Sequence, residues 1–97
     1  MIRVMIERRC LPGKEARLRE LLVQIRAAAM RRVGFISGET LRSADDPSLF
    51  LTVGTWTTRE AWKAWDTTPE RWEIASVIEP LLAVPEKLSV FYFVDEE

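Results

Sequence analysis

Near the start of the chain Ile2, Val4 and Ile6 alternate with Arg3, Met5 and Glu7, the period of two that gives a β-strand two unlike faces. Pro12-Gly13 ends it. Over residues 14–32 the apolar positions Leu18, Leu21, Leu22, Ile25, Ala28 and Ala29 recur at helical spacing, with Arg17, Arg19, Glu20, Gln24 and Arg26 opposite, which predicts a long amphipathic helix. Arg31 and Arg32 suit the negative end of its dipole, and Gly34 supplies a left-handed exit. Residues 35–42 and 49–56 read as two extended runs. The polar segment 43–48 between them contains Pro47 and has the length of a hairpin loop, so the two runs pair antiparallel. Thr57-Thr58-Arg59-Glu60 has the form of a capping box and opens a short helix carrying Ala61, Trp62 and Trp65. With Thr68 as a second cap and Pro69 at the first helical position, another helical piece presents Trp72, Ala75 and Ile78 until Pro80 stops it. Residues 87–94 form the last strand.

The order is βαββαβ, an α+β ferredoxin-like arrangement with a four-stranded antiparallel sheet. It spans residues 1–97 as one domain, since no linker, repeat or low-complexity stretch divides it. Helices of this topology cover one sheet face, yet the last and the third strands are apolar on both. Leu88, Val90, Tyr92 and Val94 oppose Phe91 and Phe93, and Leu49, Leu51 and Val53 oppose Phe50 and Trp56. A chain this short has no spare segment for the second face, so a second copy is expected there, giving a homodimer with a barrel-like middle.

Composition narrows the chemistry. There is no histidine and a single cysteine, Cys10, which removes disulfide frameworks, the usual zinc and haem-histidine sites and histidine bases. No metal site and no protein-bound cofactor is expected; Asp45-Asp46 and the tail Asp95-Glu96-Glu97 read as solvated surface, and Cys10, with no base to activate it, as a small apolar residue. Fourteen basic residues against fifteen acidic ones speak against nucleic acid. So does LFLTVGTW, which lacks the glycine-aromatic pattern of an RNA-recognition strand. The alternating MIRVMIERRC is neither a signal peptide nor a membrane segment, and the cytoplasm is the default compartment.

From Gly34-Phe35 through Glu39 to GTWTTREAWKAWDTTPERWEIA the chain resembles the antibiotic biosynthesis monooxygenase family, small dimeric α/β-barrel proteins. The resemblance implies a cavity between helices and sheet that holds a planar polycyclic or quinol-like molecule reacting with O2 without flavin, haem or metal. One branch of the family degrades haem, using a strand asparagine, a helix tryptophan and a histidine ten positions later. Those positions fall at Glu7, Trp65 and Ala75, so only the tryptophan is kept and that chemistry is not expected. Another branch has a histidine where Trp65 stands, and its acid–base chemistry does not carry over.

Trp56, Trp62, Trp65 and Trp72 lie within seventeen residues, and large rigid rings stack well on conjugated ligands, though core packing explains tryptophans equally. Trp65 is the candidate catalytic tryptophan, with Trp62 at the cavity edge and Trp72 stacking the substrate. Glu7 shares its strand face with Arg3 and Met5. If that face meets the helices, Glu7 is a desolvated carboxylate able to take a proton from a phenol or hydroquinone, with Arg3 and Met5 as substrate contacts. The bland alternative is a surface pairing of Glu7 with Arg3 or Arg9. Two functions stay open: a cofactor-independent monooxygenase, and a non-catalytic dimeric binding or stress-associated protein. An open cavity holding Glu7 favours the first, a cavity plugged by Trp65 and Trp72 the second.

Overall fold

In the computed structural model, which describes residues 1–96, the N-terminal alternation folds as strand β1, Ile2–Arg9. Glu97, the end of the acidic tail, lies outside the described residues. Helix α1, Glu15–Met30, buries the six apolar positions its periodicity marks. Gly34 follows at φ +92°, and a Cβ there would lie 2.5 Å from Ala61 Cβ and 2.8 Å from Thr57 Oγ1. Only glycine both takes that backbone and lets the chain pass so close. The Gly34 carbonyl also accepts from the Thr57 backbone N–H at 2.8 Å.

Strands β2, Phe35–Arg42, and β3, Leu49–Trp56, pair antiparallel as expected. Asp46 organises their loop by accepting from the Ser48 N–H and hydroxyl at 3.0 and 2.7 Å and from Arg9 at 2.7 Å. The Ser48 hydroxyl first, and then Arg9, hold the Asp46 carboxyl below its ordinary range.

Helix α2, Arg59–Asp66, is capped one residue later than the capping-box pattern suggests. Thr58, not Thr57, accepts from the Ala61 N–H at 3.0 Å, and Thr57 instead donates its backbone N–H to the Gly34 carbonyl. Helix α3, Pro69–Ile78, starts as expected, with Thr68 accepting from the Arg71 N–H at 3.2 Å and Pro69 in the first turn. A 3₁₀ turn, Glu79–Leu81, leads toward β4, Lys87–Tyr92. This strand is shorter than residues 87–94 because Tyr92 stands opposite Ile2, where β1 begins and the ladder runs out; Val94–Glu96 turn in 3₁₀ form instead.

The sheet order is β2-β3-β1-β4 with every neighbouring pair antiparallel, the ferredoxin-like α+β arrangement. Register sorts its faces. Ile2, Val4 and Ile6 stand beside Trp56, Gly54 and Thr52 on one side and Tyr92, Val90 and Leu88 on the other, and β1's buried row packs with α1 and the tryptophans in one core cluster. The opposite face carries Met5, Leu51 and Val53, each only half-buried, flanked by exposed Leu41 and Phe91. Nothing from the described chain covers it. Among the described residues no helix is long and apolar enough to cross a membrane.

Candidate functional site

Arg8 continues the buried row of β1. It is in phase with Ile2, Val4 and Ile6, so its guanidinium enters the space between sheet and helices instead of reaching water. There its Nε donates to Glu86 Oε2 and its Nη1 to Thr52 Oγ1, both at 2.9 Å. Burial pushes the Arg8 guanidinium below its ordinary value; Glu86 opposes that shift and the nearby Arg71 charge adds to it.

Arg71 arrives from the other wall. Ile78, seven residues on, is fully buried, and two helical turns back along the same stripe lies position 71. The Arg71 guanidinium lies over the Trp62 ring, 5.4 Å from its centroid, a cation–π contact. Its Nε sits 3.2 Å from Asp66 Oδ1, close enough for an ion pair but too poorly aligned for a hydrogen bond, so this buried N–H finds no hydrogen-bond partner among the described residues. Its Nη2 reaches Glu86 Oε1 only at 4.0 Å.

Between these two guanidiniums, α1 and the sheet lies a cavity of about 60 Å³. Trp56, Trp62 and Trp65, all buried, line it with Phe35, Ile25 and Ala29. Edge-to-face contacts at 5.4 Å (Phe35–Trp56) and 5.8 Å (Trp56–Trp62) lock the ring wall in place. Leu22, Arg26, Gly38, Glu39 and Thr40 are shared with a second, outer groove of about 690 Å³ between α1 and β2. At that junction Arg26 Nε donates to the Gly38 carbonyl at 2.8 Å, tying helix to strand.

The site residues expected from the sequence separate accordingly. Trp65 and Trp62 reach the cavity. Trp72 does not: it is 64% exposed on the outer side of α3, its Nε1 donating back to the Asp66 carbonyl at 2.9 Å. Glu7, Arg3 and Met5 are together, but on the sheet face turned away from the helices, because the buried row of β1 is the even-numbered one. The condition for a desolvated Glu7 is therefore not met. Nor does Glu7 pair with its strand neighbours: Arg3 lies over Phe93, 5.1 Å from the ring centroid, and Arg9 binds Asp46. Glu39 shares the face of Val53, so it borders the cavity through its backbone.

Arg8 and Arg71 were the residues that sequence reasoning missed, although both carried a signal. Arg8 is the next even position after an aliphatic row, and Arg71 lies one heptad before the last buried isoleucine of its helix. Cys10 is buried and unpaired; burial first, and then the Glu15 carboxylate, raise its thiol above the ordinary value. No group of three metal-ligating side chains occurs among the described residues.

Comparison with known proteins adds a family and a set of folds. The family model described as antibiotic biosynthesis monooxygenase matches residues 1–75. No curated protein matches the sequence. Among solved structures, a conserved protein from Methanosarcina mazei Go1 aligns at TM-score 0.89 and 14% identity, over 93% of this chain and 89% of that one. Rv0793 from Mycobacterium tuberculosis aligns at 0.89 and 21%, over 98% and 96%. SnoaB, a cofactor-independent oxygenase from Streptomyces nogalater, aligns at 0.83 and 18%, over 95% and 92%. At these identities the likeness is one of fold.

Proposed function

The chain belongs to the antibiotic biosynthesis monooxygenase family, and from that premise we propose that it oxygenates a planar aromatic or quinol-like small molecule with O2, without a bound cofactor, as a cytoplasmic homodimer. The observation that carries this reading is the buried Trp65 beside a charged, aromatic-walled cavity that adjoins a large groove.

Size decides how a ligand fits. At about 60 Å³ the cavity holds a few waters, well short of the roughly 150 Å³ that takes a benzene ring. A ring therefore lies mainly in the groove and its passage, and presses on Trp65 only after Arg26 lets go of Gly38. That is one hydrogen bond, with a net contribution of about 0.5–1.5 kcal/mol, less than the roughly 1.5–3 kcal/mol from burying one large apolar group.

For an activated methylene the chemistry is CH2 + O2 → C=O + H2O. Ionisation leaves a carbanion that gives one electron to O2; the two radicals combine to a peroxide anion, which takes the proton back to become a hydroperoxide and then loses water. Trp65 supplies the surface against which the ring is held, and Trp62 anchors Arg71. Glu7, remote from the cavity, has no part in this step.

The dimer rests on the apolar face bearing Met5, Leu51 and Val53, which the helices leave uncovered. Leu51→Glu is expected to convert a dimer to a monomer in sedimentation velocity.

The activity is tested by O2 uptake on hydroquinones and anthrones with metals chelated. Uptake that falls at least tenfold in Trp65→Phe supports the reading. No uptake by an intact dimer overturns it, and leaves the alternative of a binding protein whose cavity Trp56, Trp62 and Trp65 largely fill.

A further inference from the structure

The charges around the cavity are distributed unequally. The side chains of Arg8 and Arg71 are 2% and 6% exposed, whereas those of their acidic partners Glu86 and Asp66 are 29% and 39% exposed. The positive heads are thus the desolvated groups and line the cavity, while the negative ones lean toward water. Screening by solvent weakens the carboxylates' hold more than it weakens the field of the guanidiniums inside.

Hydrogen bonding is unequal too. Glu86 serves Arg8 at 2.9 Å and Arg71 only at 4.0 Å, and the shielded Arg71 Nε, 3.2 Å from Asp66 Oδ1, is too poorly aligned with it for a hydrogen bond, so Arg71 is the less well satisfied of the two guanidiniums among the described residues. A guanidinium has no acceptor of its own and offers five N–H donors in a fixed fork that matches an oxyanion. A buried donor left unpaired is costly, and a structure that keeps one is short of an acceptor. The adjoining cavity is too small for a ring but large enough for a carboxylate or one ionised oxygen.

We infer that the ligand of this site is an aromatic anion whose ionised oxygen, as carboxylate or phenolate, enters the inner cavity and is held by Arg71 together with Arg8, its ring lying toward the groove between α1 and β2. The inference rests on the reading that the helix-side cavity serves an aromatic molecule, and it specifies which kind. Glu86 is then a placeholder that keeps Arg8 paired and competes with the ligand for Arg71. Trp62 is a positioning residue whose ring lies under the Arg71 guanidinium, 5.4 Å from centroid to Cζ, at the cavity wall.

The test compares 2-naphthoate with its neutral isostere 2-naphthamide by quenching of tryptophan fluorescence, in the wild type, Arg71→Met and Glu86→Gln. Binding is read without turnover, so an inactive enzyme does not silence it. Naphthoate is expected to bind about tenfold or more tighter than the amide, the scale of a charge-assisted pair. Arg71→Met should erase that preference, and Glu86→Gln should enlarge it several-fold. A parallel titration of 4-nitrophenol by its visible absorbance separates phenolate from carboxylate recognition, since a bound phenolate forms at lower pH than a free one. Equal binding of acid and amide overturns the inference while leaving the aromatic reading intact. No binding of either removes both. A preference for the acid that neither variant moves overturns the assignment to this pair of arginines.

Discussion

Arg71→Met should leave the fold at least about as stable as the wild type, whereas Arg8→Met should weaken it markedly, although both remove a guanidinium from the same cavity. The difference follows from their partners. Arg8 gives up two hydrogen bonds of 2.9 Å from its charged guanidinium, one to a carboxylate and one to a hydroxyl, and a hydrogen bond that involves a charge is worth about 1.5–3 kcal/mol. Methionine fills part of the space, so the net loss is about 2–4 kcal/mol. Arg71 gives up a cation–π contact worth roughly 0.5–2 kcal/mol and an ion pair to a part-exposed Asp66, for which about 0–1 kcal/mol is usual. Against these losses, removing the unpaired buried Nε relieves about 1–3 kcal/mol, and a thioether against Trp62 returns a few tenths to about 1.5. These ranges span a net loss of about 2 to a net gain of about 4 kcal/mol and centre on a gain of about 1. Urea unfolding followed by tryptophan fluorescence measures both variants, at one fixed protein concentration because self-association would add to apparent stability. Equal m-values with Arg71→Met losing as much as Arg8→Met would falsify the reasoning, since Arg71 would then be a structural residue and not a donor kept ready for a ligand.

Gly34→Ala should cost at least about 2 kcal/mol in the same assay, since a left-handed alanine costs about 1–2 kcal/mol and its Cβ would stand 2.5 Å from that of Ala61; an effect below about 0.5 kcal/mol would mean that the Gly34–α2 contact is loose. Trp72→Ala should cost less than about 1 kcal/mol and Trp62→Ala about 3–5 kcal/mol, because the first ring is mostly in solvent and the second buried; similar losses would contradict the placement of Trp72. Cys10 sets a pH dependence with a definite sign. Its thiol is raised in the folded state, so the folded chain holds the proton after the unfolded chain has lost it. That stability is whole below the ordinary value of 9.0 and declines as pH rises through the folded value. Relative to Cys10→Ala, the wild type should therefore lose stability as pH rises above 9.0, and native Cys10 should resist iodoacetamide until the protein unfolds; unchanged relative stability with rapid alkylation would refute this.

Most of the architecture was legible because its signals are periodic and redundant. Six apolar positions marked α1, and all six are buried; the alternation in β1, the polar hairpin loop and the Thr68-Pro69 restart each appear where the pattern put them. What failed was phase. Alternation says that β1 has two faces without saying which one meets the helices, so the role of Glu7 stood on the condition that the charged row faces inward. Hydrophobicity favours the aliphatic row, and taking that side would also have brought Arg8 inward. The end of β4 failed for a different reason, since a strand stops where its partner stops and Ile2 sets that limit from ninety residues away.

The exchange of Trp72 for Arg71 is the same problem on a helix, and it bears most on function. Counted from Trp65, position 72 is seven residues on, close to two full turns, so an unbroken helix from Arg59 would carry Trp62, Trp65 and Trp72 on one stripe and turn Arg71 away. The chain is not unbroken. Thr67 and Thr68 end α2 and restart the helix, with the Thr68 side chain bonded to the Arg71 N–H, and the restart resets the rotation so that Arg71, Ile74, Ala75 and Ile78 form the inner stripe. Trp72 is then pinned outside by its bond to the Asp66 carbonyl. The break therefore determines what the cavity contains: a fourth tryptophan would have closed it with hydrocarbon, whereas the reset places a second guanidinium there. Hydrophobicity alone assigns these two neighbours the other way round, because burying an arginine and exposing a tryptophan is unfavourable by transfer. That the fold bears this cost at the wall of its aromatic cavity, with one buried donor unanswered, argues that the missing acceptor belongs to a ligand.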